Sequence, residues 1–110
     1  MNKYHNKKVT VNGLKFDSKR EAARYRDLQL LERAGQIKDL RRQVRYLLAP
    51  SVYDEEGKCI ERCVTYVADF VYHDKQGNLV VEDCKGLRTD AYILKRKWML
   101  KEYGIKILET

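Results

Sequence analysis

The sequence predicts one α/β domain, a mixed central sheet flanked by helices. Two segments carry helical periodicity with stop signals at their ends. Three runs rich in β-branched and aromatic residues lie between those helices, and a fourth short run follows. The central runs, "YVADFVY" and "LVV", are too apolar for a sheet wet on one side, so helices are expected on both faces. At 110 residues and 44% hydrophobic composition the chain suits a single core.

In chain order, residues 1–8 read as a basic N-terminal arm on the single domain 1–110. "VTVNGLKF" alternates around Asn12-Gly13, a strong short hairpin signal. The first helix starts in "DSKREAARYRDLQLLERAG": Ser18 and Glu21 form a capping box, and Gly35 is the stop. Ala22, Tyr25, Leu28 and Leu31 (or Leu30) supply its buried stripe. "QVRYLLAP" reads as a strand ended by Pro50, and "SVYDEEGKCIER" as a turn-rich connection. "CVTYVADFVYHD" and "LVVEDCK" are strands joined through Lys75-Gln76-Gly77, a three-residue loop with Gly in the left-handed position. "RTDAYILKRKWMLKEYG" is the second helix, begun by Thr89 or Asp90 and stopped by Gly104; "IKIL" closes as a short strand. The expected order is helix, strand, strand, strand, helix, strand.

The charge of +7, from 23 Lys plus Arg against 16 Asp plus Glu, favours an anionic partner such as nucleic acid. No run is long and apolar enough to span a membrane, and the N-terminus lacks the apolar core of a secretory signal. Three cysteines (Cys59, Cys63, Cys84) form no disulfide framework and suit a reducing cytoplasm. With His73 they could be considered for zinc, but the spacing is off, and buried or incidental thiols are the better reading.

"VEDCKG" places acids where the strand pattern asks for burial. With the three-residue loop, His73 pairs with Leu79, and Asp69 then falls opposite Asp83. Lys85 shares the Asp83 face and Glu82 points the other way. Opposed carboxylates in an apolar setting do not both stay ionised without a cation. The expectation is a divalent metal in an all-oxygen site, Mg2+ or Mn2+, with a lysine beside it.

The spacing of Asp69 and Asp83-Cys84-Lys85 resembles the signature of the PD-(D/E)XK nuclease superfamily. "FDSKREAARY", "YVADFVY" and "VVEDCKGLRTDAYILKRK" together are similar to small phage-associated members described as Holliday-junction-resolvase-like. The resemblance covers Tyr4 to Leu108, with Ala68 where the superfamily often has proline. It implies a restriction-endonuclease-like core and a set of roles. Asp69 and Asp83 would hold the metal, with the Cys84 backbone carbonyl, and Glu21 would join from the first helix. Lys85 would orient or deprotonate the attacking water.

Simpler readings stand beside these. Glu21 could be only the capping glutamate, and Asp83 with Lys85 a surface ion pair. Lys95, Arg96, Lys97 and Lys101 could be only a wet helix face. Residues expected to meet DNA are Lys7, Lys8, Arg20, Arg88, Thr89, Lys95 and Arg96. The resulting expectation is a Mg2+-dependent DNA endonuclease, a twofold homodimer acting on branched junctions. A nicking or end-processing DNase and an inactive nucleic-acid-binding accessory protein are the alternatives.

Overall fold

The computed structural model describes residues 8–84 and 88–110. A small hairpin, β1 (Val9–Val11) and β2 (Leu14–Phe16), turns at Asn12-Gly13. Both turn residues have positive φ, at 52° and 79°, the conformation that makes Asn-Gly a hairpin turn. Helix α1 (Lys19–Arg33) follows, with the Ser18 hydroxyl accepting from the Glu21 N–H at 3.1 Å. Ala22 and Leu28 are buried, but Leu30 and Leu31 are 61% and 37% exposed, so the apolar stripe ends a turn earlier than the periodicity predicts.

Strand β3 (Ile37–Ala49) begins six residues before the predicted Gln43. Its first half, "IKDLRR", is too charged to read as strand, because β3 lies at the sheet edge, where polar side chains meet water. The connection read as turns contains a second small hairpin, β4 (Val52–Tyr53) with β5 (Cys59–Glu61). Strands β6 (Val64–Asp74) and β7 (Leu79–Asp83) form the predicted hairpin. Its loop closes from Asp74 to Asn78 with Gly77 at φ 87°, and His73 pairs with Leu79. Helix α2 (Asp90–Tyr103) is N-capped by Thr89 and ended by Gly104 at φ 66°. Strand β8 is Leu108–Glu109, slightly later than "IKIL" suggested.

The central sheet has the order β3-β6-β7-β8. The first two pairings are antiparallel and β7–β8 is parallel, so the sheet is mixed. On one side, Phe70 and Tyr72 of β6 pack with Leu28 of α1. On the other, Tyr66, Ala68, Val71 and Val81 pack with Tyr92 and Met99 of α2. Two apolar layers therefore share one sheet, as the near-continuous runs of β6 and β7 require.

The two layers do not divide β6 by simple alternation. Ala68 belongs to the α2 side and Phe70 to the α1 side, although residues two apart on a strand normally share a face. Their partners on β3 change sides in the same way. Arg42, paired with Phe70, lies over the Phe16 ring, whereas Val44, paired with Ala68, packs on the α2 side. Gln43 stands between them with φ 52°, a left-handed residue inside a strand, and Asp69 lies between Ala68 and Phe70. The strand pair changes faces at Gln43 and Asp69.

Candidate functional site

Glu21, Asp69 and Asp83 come from three elements. The β6–β7 pairing ends at Phe70 opposite Glu82, and the next residues outward on the two strands are Asp69 and Asp83. Asp69 is half-buried, and its Oδ2 accepts from the Cys84 N–H at 2.7 Å. The contact uses the amide of Cys84, on the same backbone segment whose carbonyl was expected to face a metal.

Glu21 is 2% exposed, on the first turn of α1. Its two oxygens do different work. Oε2 accepts from the Asp17 N–H at 3.1 Å, one residue before the Ser18 amide that a standard capping box would use. Oε1 accepts from the Gln43 carboxamide at 3.0 Å, and the same Gln43 nitrogen lies 3.4 Å from Asp69 Oδ1. A single side chain thus spans the helix carboxylate and the strand carboxylate. The cap and site readings of Glu21 are compatible because they use opposite oxygens. Burial raises the Glu21 pKa above the ordinary carboxylate value; the Asp17 amide, Arg42 and Gln43 oppose that shift.

Asp83 is 1% exposed and faces the α2 side, where Tyr66 donates its hydroxyl to Oδ2 at 2.6 Å. Burial, then the bond to Asp83, pushes the Tyr66 phenol far above its ordinary range, so Tyr66 stays a donor. Glu82, next in the chain, has turned to the α1 side. Arg24 donates to it through Nε at 2.8 Å and Nη2 at 2.7 Å, the Tyr72 hydroxyl also donates, and Thr110 Oγ1 is at 3.2 Å. Adjacent acids thus have separate surroundings, because successive strand residues point to opposite faces.

Lys85 and Lys7 lie outside the described residues. Among the described residues, no three His, Cys, Asp or Glu side chains stand close enough together to hold a metal ion. All three cysteines are free thiols, and burial pushes Cys84 up to about 11, so it is protonated at neutral pH.

The residues expected to meet DNA divide into three groups. Lys8 and Arg20 are exposed. Arg88 and Arg96 converge on Glu109, at 2.9 and 3.0 Å, where Tyr92 also donates at 2.7 Å. These two guanidiniums are engaged within the fold. Thr89 accepts from the Tyr92 N–H as N-cap, and together with Lys95 it lines a cleft of about 290 Å³ beside Tyr66.

Sequence reasoning missed Gln43, Tyr66 and Arg24. Tyr66 and Arg24 carried a weak signal: buried acids need donors, and both residues lie on elements adjoining β7. Gln43 carried none, since nothing in "RRQVRY" marks a left-handed residue.

The fold and site define a mixed α/β domain with buried acidic side chains gathered at a break in strand alternation. No helix among the described residues is long and apolar enough to cross a membrane. The chain belongs to the family described as "Protein of unknown function (DUF1064)", whose profile matches residues 1–108. No match to the chain is found among curated proteins or among solved structures.

Proposed function

We propose that this chain is a Mg2+-dependent endodeoxyribonuclease with a restriction-endonuclease-like core, of the PD-(D/E)XK type. The carrying observation is the meeting of Glu21 and Asp69 on one Gln43 carboxamide, with Asp83 just beyond the end of the β6–β7 pairing. Glu82 draws a two-pronged guanidinium from Arg24. Glu21, with Arg42 at 3.9 Å, shares the neutral Gln43 carboxamide with Asp69.

The donor chemistry fits the proposed ion. Carboxylate oxygens are the hard donors that Mg2+ takes, usually alongside retained waters, and Mn2+ can substitute. By their place in the motif Asp69 and Asp83 would hold the ion, with Glu21 and the Cys84 carbonyl as further oxygen donors; the three carboxylates are not gathered in advance, so binding would have to draw them together. When bound, the ion would supply Lewis acidity at a phosphoryl oxygen and lower the pKa of bound water. The chain's own part is positional. The Cys84 amide orients Asp69, Tyr66 orients Asp83, and the Asp17 amide orients Glu21. Lys85, two residues beyond Asp83, is assigned the water-orienting role by its place in the motif.

DNA is the substrate best matched to the +7 charge, with phosphate contacts that weaken as salt rises. Branched junction DNA, cut by a twofold homodimer in the cytoplasm, is the choice supported by the resemblance to phage resolvases. The test incubates the purified protein with a four-way junction, a matched duplex and single-stranded DNA, in Mg2+, Mn2+ or EDTA. An Asp83→Ala variant runs beside it. Paired symmetric cuts in the junction, absent with EDTA and in the variant, are the expected result. Equal cutting of all substrates would leave a nuclease and remove the junction assignment. Binding without cleavage in any metal would replace the nuclease by a nucleic-acid-binding accessory protein.

A further inference from the structure

Among the described residues, three that are not glycine have left-handed backbones: Asn12, Asp39 and Gln43. Asn12 belongs to a hairpin turn that calls for positive φ. Asp39 sits where the β3–β6 register shifts between Lys38 and Arg41, as expected at a bulge. Gln43 stands where the strand pair changes faces: Arg42 pairs with Phe70 and Val44 with Ala68 in the same register, but Gln43 itself has no pairing partner on β6. That turn explains the positive φ and does not call for glutamine, since glycine would meet the same backbone demand without strain.

What glutamine adds over glycine is its carboxamide. That group reaches 3.0 Å from Glu21 on α1 and 3.4 Å from Asp69 on β6. Asparagine tolerates the left-handed region but is one methylene shorter, and so is ill suited to bridging both.

We propose that Gln43 is a positioning residue for the metal site: its carboxamide holds Glu21 and Asp69 at a set spacing before the cation arrives. The inference rests on the metal-site reading above. It accounts for a strained residue where glycine would serve the backbone better. The positive φ belongs to the face change of β3, which alone does not require the glutamine side chain.

The test compares wild type, Gln43→Gly, Gln43→Asn and Asp69→Ala, by thermal melting in EDTA and by Mn2+ titration, reading free Mn2+ by electron paramagnetic resonance. Gln43→Gly is expected to melt about 2–8 °C higher than wild type, from relief of the left-handed strain. Both Gln43 variants are expected to bind Mn2+ about 10–100-fold more weakly, the usual loss when a residue supporting metal ligands is removed. A merely structural Gln43 would leave Mn2+ affinity unmoved. Affinities within twofold of wild type, with Asp69→Ala abolishing binding, would overturn the role of Gln43 and leave the metal site standing. Absence of Mn2+ binding by the wild type would overturn the metal reading and this inference together.

Discussion

Glu82 and Glu21 are both buried glutamates, at 0% and 2% exposure, yet they are treated in opposite ways. Glu82 receives a two-pronged guanidinium and two hydroxyl contacts, a nearly complete shell for a buried carboxylate. Glu21 receives one backbone amide and one carboxamide. The nearest cation, Arg42, stands 3.9 Å away, with its guanidinium over the Phe16 ring. The first arrangement binds β7 to α1. The second leaves a buried acid with its pKa raised and its ion-pair partner, Arg42, at the far edge of contact. Acids of equal burial therefore differ in the donors they are given.

The comparison breaks most readily at Arg24. Arg24→Met would strand Glu82 without its cation, an expected loss of about 3–5 kcal/mol in urea-unfolding stability. A loss below about 1 kcal/mol, the scale of a surface pair, would mean that the Glu82 shell is not the anchor described.

Glu21→Gln is the matching experiment on the other side. It removes a charge that burial disfavours and retains an oxygen that can accept a hydrogen bond, so stability should change by less than about 1 kcal/mol. Cleavage should fall by about 100-fold or more under the proposed function, because a neutral amide is a poor replacement for a carboxylate near a cation. A large loss of stability with cleavage intact would place Glu21 beside Glu82 as a structural acid.

Glu109 sharpens the comparison with a third case: rich in donors but nearer to water. Arg88, Tyr92 and Arg96 hold its pKa down to about 2. A depressed carboxylate contributes stability above its unfolded value, 4.5, and loses it as pH falls toward about 2. Its arginine partners are partly exposed, at 58% and 37%, so the contribution is expected to be at most about 1 kcal/mol. Unfolding of wild type and Glu109→Gln should differ at pH 6 and converge near pH 2.5. A difference unchanged across that interval would show that Glu109 acts through packing rather than charge.

Much of the fold was legible because its signals are local. Ser18, Thr89, Gly104 and Asn12-Gly13 each impose a backbone state on their own neighbourhood, and each does so in the structure. The β6–β7 register followed from loop length alone, since three loop residues dictate which positions face each other. The charged start of β3 and the exposure of Leu30 and Leu31 were not legible. Both depend on what lies alongside: an open sheet edge for the first, and the end of the apolar layer for the second.

The site divides along the same line. By itself the sequence determined that Glu82 would point away from Asp83, because strand alternation is a property of the chain, and that Asp69 and Asp83 would lie at the same end of one hairpin. It also determined that Glu21 would stand in the first turn of α1. Only the tertiary structure decided which donor each acid would meet. Arg24 reaches Glu82 across 58 residues of chain, and Gln43 reaches Asp69 across 26. Only the tertiary structure, too, turned the strands over at Gln43, since that left-handed backbone is unfavourable locally and persists only where the surrounding packing holds it.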